Sequence, residues 1–158
     1  MRCLPVILVL WKQHKMTLYL VKLIKNSKWV FKSGHTKEYH VDKRFEEDIY
    51  KKFDNIECLY KIHISHKDYK TAKVLVELME KSFQLFYKKD SDFKLETFFE
   101  EKENYFNDEN GNPMSGITET FVYNNEEKLI RQFKALGYNM LKMLENGNNI
   151  NIGELDIK

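Results

Sequence analysis

Apolar, β-branched and aromatic residues fill Thr17 to Ile24 and again Trp29 to Lys32, with Lys25, Asn26, Ser27 and Lys28 between them. That pattern predicts a β-hairpin, its second strand closed by Gly34. Val41, Phe45, Ile49 and Phe53 recur every four residues, so a helix is expected from Val41 to Phe53 with one apolar stripe and Arg44 beside it. Ile56, Cys58, Tyr60, Ile62 and Ile64 then alternate with Glu57, Leu59, Lys61 and His63, the period-two pattern of a half-buried third strand. Asp68 is placed to cap a longer helix running to Tyr87, because Ala72, Leu75, Val76, Met79, Phe83 and Phe86 fall on one 3.6-residue face.

The periodicity fades from Lys88 to Gly116, where Asn107, Asp108, Asn110, Gly111, Asn112 and Pro113 read as a long insertion with at most one helical turn near Phe98. Phe121 to Tyr123 fits a short strand. A last helix, about 126 to 145, is capped by Asn124 or Asn125, opens with Glu126 and Glu127 against the helix dipole, and ends at Gly147. Its buried stripe is Leu129, Ile130, Phe133, Leu136, Met140, Leu141 and Leu144. The fold class expected is therefore α+β: a small three-stranded antiparallel sheet flanked by helices, with an acidic insertion and a C-terminal helix. The boundaries are an N-terminal extension over 1–15, a domain over 16–123 with its insertion at 88–118, the helix over 124–147 packed on the same domain, and a loosely held tail over 148–158.

At 158 residues the chain is long enough to bury one core without staples. Cys3 and Cys58 have no metal-ligand or CxxC spacing, which points to a reducing, intracellular compartment without disulfides. The apolar run Cys3 to Trp11 is too short to span a bilayer and no small-residue cleavage site follows it, so membrane insertion is not expected; it reads as an extra strand or an upstream extension. The net charge of +2 is small but unevenly spread: Lys12 to Phe53 holds eleven Lys or Arg against five acids, and Glu96 to Glu127 holds nine acids against Lys102 alone. The basic block is suited to a polyanion, with a solvated lysine-rich surface as the plain alternative. The acidic block offers a surface to a basic protein partner or a cover for a site. The abundance of Lys and Asn suits an AT-rich genome such as that of a virus, phage or mobile element.

The segments TLYLVKLI, WVFKSGHT, DKRF, LMEKSFQLFY and ITETF occur in that order over 17 to about 87, with Glu119 and Phe121 as an outlying piece. This order resembles the phage-type branch of the GIY-YIG nuclease superfamily, in which a Tyr on the first strand, a Lys-x-Gly-x-Thr closing the second, an Arg on the first helix and a Glu on the next helix form the site. The resemblance implies a metal-dependent DNA endonuclease, with Tyr19, Lys32, Arg44 and Glu80 catalytic, Gly34, His35, Thr36, Lys37 and His40 against the substrate, and Mg2+ or another divalent metal on Glu80. Thr17 stands where the family's first-strand Gly would be, and Lys32 where its second Tyr would be. The alternative from another class is a catalytically inactive DNA-binding or protein-interaction module on the same fold.

The residues bear these roles chemically. Phosphodiester hydrolysis needs an activated water, a cation on the developing charge and usually a Lewis-acid metal. Arg44 is one of three Arg beside 23 Lys, and a planar fork suits phosphate; an i,i+4 pair with Asp48 is its plain alternative. Glu80 falls at the edge of its helix's apolar stripe, where a carboxylate needs a metal or an ion pair with Lys73 or Lys81. Tyr19 points away from Leu18 and Leu20, as a site phenol or a buried structural one. His35 and His40 read as site-rim groups, His63 and His66 as ordinary surface histidines, since no zinc-ligand set accompanies them. The nuclease reading requires Tyr19, Lys32, Arg44 and Glu80 to converge on one cleft. No GxxxxGK[ST], GxGxxG or GxSxG is present, which leaves nucleotide hydrolysis, dinucleotide chemistry and serine hydrolysis without a motif.

Overall fold

The computed structural model describes residues 14–37, 45–46, 48–95, 110, 120–147 and 154–157. It is an α+β fold whose strands are β1 (His14–Lys25), β2 (Lys28–Thr36), β3 (Asn55–His66), β4 (Phe93–Leu95), β5 (Phe121–Tyr123) and β6 (Glu154–Ile157). The helices are α1 (Tyr69–Lys88) and α2 (Glu126–Gly147), with a short 3-10 turn at Asp48–Lys52. All strand pairings are antiparallel, in the order β4-β5-β2-β1-β3-β6. The three strands expected from the pattern form the centre of this sheet. The additions are short edge strands: β4, which opens the expected insertion, and β6, which ties the expected loose tail to β3.

Asn26 and Ser27 make the β1–β2 turn with φ of 52° and 64°, the double left-handed geometry that matches the twist of a two-residue hairpin. Asp54 clamps it, accepting from the Asn26 N–H at 2.8 Å and from Lys25 at 3.4 Å. The Asn26 bond, the largest influence, holds the Asp54 carboxyl below its ordinary pKa.

β1 has a covered side chain on both faces. Met16, Leu18 and Leu20 join Phe31, Tyr60, Ile62 and Ile64 beneath α1 and α2. Tyr19, Val21 and Leu23 join Val30, Tyr50 and Phe53 on the opposite face, with Phe45, Ile56 and Val122 packed around them. The expected single alternation along β3 does not hold throughout. The β1–β3 register slips between Leu20 and Val21, so Leu20 faces Tyr60 but Val21 faces Cys58. This bulge leaves Leu59 over and sends Ile56 to the Tyr19 side while Tyr60, Ile62 and Ile64 stay under the helices.

Helix α1 starts where expected. Asp68 is its N-cap, accepting from the Lys70 N–H and the Thr71 hydroxyl, and the Thr71 bond leads the influences that lower the Asp68 pKa. Ala72, Leu75, Val76, Met79 and Phe83 are buried, but Tyr87 rather than Phe86 completes the stripe. Tyr87 stacks on Phe121 at 4.0 Å between ring centres, and Phe86 is exposed. At about 100° per residue both Phe86 and Tyr87 flank the stripe, and it is the ring contacts of Tyr87 with Phe83, Phe93 and Phe121 that take it into the core. Helix α2 is capped by the Asn125 side chain and buries Leu129 and Phe133, the latter edge-on to Phe83 at 5.0 Å. The side chains of Met140, Leu141 and Leu144 lie outside the described set. Asp90 fastens the end of α1 to β5 and α2, accepting from Lys128 at 2.6 Å and from the Tyr123 hydroxyl at 2.7 Å.

The expected helix over Val41 to Phe53 appears, among the described residues, only as the turn at Asp48–Lys52. Val41 and Arg44 are outside the described residues, as is the expected turn near Phe98. Phe45 and Phe53, two members of the expected apolar stripe, nevertheless pack on the second sheet face, joined by Tyr50, which the stripe does not contain.

Candidate functional site on the tyrosine face of the sheet

Residues opposite one another on neighbouring strands share a face, so the register sorts the candidate residues. Tyr19 lies opposite Gly34, Val21 opposite Lys32 and Thr17 opposite Thr36. Tyr19, Lys32, Gly34 and Thr36 therefore occupy one face, away from α1. His35 lies opposite Leu18 and belongs to the other face, toward α1.

The tyrosine lies directly over the glycine. A β-carbon on Gly34 would stand 2.7 Å from Cζ of Tyr19 and 3.0 Å from its Cε2, closer than a side chain tolerates. Phe45 meets the Tyr19 ring edge-on at 5.2 Å, and Tyr50 meets Phe45 at 4.6 Å. Gly34 is thus required by close approach and not by an unusual backbone angle. Tyr19 and Lys32 are each 1 % exposed.

Three further buried polar residues, Thr17, His63 and Ser65, share this face. Thr17 lies opposite His63 and Lys15 opposite Ser65. Thr17 Oγ1 and His63 Nδ1 are 2.8 Å apart in a buried hydrogen bond. Ser65 Oγ is buried without a hydrogen-bond partner among the described residues. His63 is 3 % exposed and His66 5 %, which corrects their reading as surface histidines. His66 faces the other way and accepts the Asp68 N–H at 2.9 Å, bracing the start of α1. A signal for His63 was present: it stands between two apolar positions of its strand. The alternation of Ile62 and Ile64 then places His63 away from the helices.

Glu80 is on α1, across the sheet from Tyr19 and Lys32. Its carboxylate is 2.5 Å from Nδ1 of His35, with 13 % and 28 % of the two side chains exposed. Glu80 was weighed for an ion pair with Lys73 or Lys81; a histidine from β2 makes the contact instead. The described members of the expected quartet do not converge. Tyr19 and Lys32 come together, Glu80 stands behind the sheet, and Arg44 and His40 lie outside the described residues. The two groups approach at consecutive positions of β2, Gly34 under Tyr19 and His35 on Glu80. Lys37, just past β2, lies 4.9 Å from the centre of the Tyr69 ring.

A magnesium ion takes oxygen ligands in octahedral geometry and needs only one or two carboxylates. Glu80 could supply one, but His35 already occupies that carboxylate, and no group of three metal-capable side chains gathers among the described residues. The arrangement does not fit an ion shared by Glu80 and Tyr19, because β2 stands between them. No helix among the described residues is long and apolar enough to cross a membrane. Comparison of the chain with family models, curated proteins and solved structures gives no match.

Proposed function

We propose that this chain acts on DNA through the sheet face carrying Tyr19, as a phosphodiester-cleaving domain whose working residues are Tyr19 and Lys32, without the four-residue cleft that the GIY-YIG resemblance requires, since Glu80 stands on the other side of the sheet. The observation that supports it is the chemistry of that face. Of the seven buried polar or charged residues among those described, Thr17, Lys32, Thr36, His63 and Ser65 project from it. An apolar surface would pack against Phe45 and Tyr50 at less cost, since each buried polar group forfeits hydration and an ammonium forfeits most. Sites that hold such groups against that cost are enriched in function.

In this reading the Lys32 ammonium neutralises the phosphate, and the Tyr19 phenol orients or deprotonates the attacking water. The Thr17–His63 pair holds an imidazole beside them, a group suited to accept a proton. Because Tyr19 and Lys32 are covered, a phosphate reaches them only after the packing over this face opens. The divalent metal that the resemblance attaches to Glu80 would first have to displace His35.

A second reading, a DNA-binding or protein-interaction module without cleavage, is favoured by the separation of Glu80 from Tyr19. Plasmid nicking with and without Mg2+ by wild type, Tyr19→Phe, Lys32→Met and Glu80→Gln decides between them. The proposal expects nicking that both Tyr19→Phe and Lys32→Met abolish with folding intact. Nicking lost only in Glu80→Gln would move the chemistry to the His35 side. Wild type inert with every divalent metal would leave the binding module.

A further inference from the structure

We infer that the cleft at the tip of the β1–β2 hairpin is a stacking site for a base of single-stranded nucleic acid. The cleft is bordered by Lys22, Ser27, Lys28, Trp29, Asn124 and Glu126. Trp29 is 48 % exposed even though it sits within a strand of the central sheet. Its register partner is Ile24, which puts it on the helix-covered face, and Glu126, the first residue of α2, borders the same cleft.

The indole is held in place. The Lys22 ammonium lies 4.4 Å from the centre of the ring and is fixed there by Glu126 at 3.0 Å. An ammonium over indole is a favourable cation–π contact. The salt bridge spares the side chain the entropy of finding that position and prevents Glu126 from repelling an anion. An exposed aromatic platform whose orientation is already set is what a base needs for stacking, because every base offers a π-face whatever its sequence. Lys28, next to Trp29, can meet the adjoining phosphate, and Ser27 and Asn124 offer hydrogen bonds to base edges. A DNA duplex keeps its bases stacked on one another and unavailable to Trp29.

The inference takes the class of macromolecule from the proposed function but not the cleavage. Trp29 and Gly34 are five residues apart on β2, about 17 Å at 3.3 Å per residue. The cleft is therefore a second contact at the other end of the strand that carries Lys32 and Gly34.

The test uses the full chain. Trp11 and Trp29 are its two tryptophans, so Trp11→Phe leaves Trp29 as the sole tryptophan, excited selectively at the red edge of the absorption band where tyrosine absorbs little. Oligo(dT) should quench that emission, and heparin, an anion without bases, should not. Anisotropy of labelled oligo(dT) should show affinity falling about 5- to 150-fold in Trp29→Ala and largely kept in Trp29→Tyr, the range that one lost base stack implies. The melting temperature should be unchanged in both. Oligo(dT) affinity indifferent to Trp29→Ala, quenching by heparin equal to that by oligo(dT), or no binding of oligo(dT) by wild type at low salt would each overturn the inference. Plasmid nicking read in parallel keeps the two ideas apart. Trp29-dependent binding without nicking sinks the cleavage proposal alone, and nicking with Trp29-independent binding sinks this one alone.

Discussion

Gly34→Ala adds one methyl group to the centre of the tyrosine face, and its cost can be worked from the contacts there. The new carbon would lie 2.7 Å and 3.0 Å from two Tyr19 ring atoms, against the roughly 3.5–4.0 Å at which carbons pack best. The ring cannot simply retreat, because Phe45 stands edge-on to it and Tyr50 backs Phe45. Overpacking of this kind costs about 1–3 kcal/mol. Replacing glycine in a strand returns about 0.5–1 kcal/mol of backbone entropy. The net loss should be about 1–2 kcal/mol, which for a chain of this size lowers the melting temperature by about 2–8 °C. Urea titration of wild type, Gly34→Ala, Tyr19→Leu and the double variant tests the cause. If the ring is the obstacle, alanine should cost little or even stabilise in the Tyr19→Leu background, a coupling of about 1 kcal/mol or more. Equal cost in both backgrounds, or no cost in wild type, would refute the close-approach account of Gly34.

Two further outcomes follow from the anchoring contacts. Hydrogen bonds from Lys128 and then Tyr123 hold the Asp90 carboxyl down at about 2, against 3.8 for a free one. Its contribution to stability is thus complete above pH 3.8 and is lost as pH falls through about 2; urea midpoints between pH 5 and 2 should fall more steeply for wild type than for Asp90→Asn, and parallel curves would rule the anchor out. Ser27 holds a left-handed φ of 64°, so Ser27→Gly should raise stability by up to about 1 kcal/mol, and an unchanged or lower melting temperature would show that the turn is not strained.

The hairpin, the third strand, the Asp68 cap, α1 and α2 were all readable because each is encoded locally, by turn residues, a cap or a repeat of two or 3.6. Of the outer strands only β5 was readable, from the apolar run Phe121 to Tyr123. β4 and β6 are three and four residues long, too short to show a period, and they exist because β5 and β3 offer edges to pair with. The stripe Val41–Phe53 named two of the side chains that cover the second face, Phe45 and Phe53, and missed Tyr50. Its four-residue spacing did not settle their backbone, since a 3-10 turn places Tyr50 and Phe53 in the same core.

The limit on reading the site came from the two-faced sheet. The order of Tyr19, Lys32 and Glu80 along the chain says nothing about which side of the sheet each side chain takes; strand parity does. Counting in twos from Tyr19 across the register gathers Lys32, Gly34, Thr36, Thr17 and His63 and excludes His35. The same counting fails beyond Leu20, where the bulge at Leu59 exchanges the faces of β3, and no local pattern announces that shift. The bulge is confined to the hairpin end of β1, so it turns Ile56 into the packing around Tyr19 while leaving His63 opposite Thr17. The tyrosine face is accordingly apolar toward the hairpin turn, where Val21, Leu23, Val30 and Ile56 meet. It is polar toward the other end, where Thr17, His63, Ser65 and Thr36 meet. Tyr19 and Lys32 sit at that boundary, with a fixed apolar floor on one side and hydrogen-bonding groups on the other. Under the proposed function, a phenol and an ammonium directed at a phosphate would take their orientation from the apolar packing and their proton traffic from the polar side.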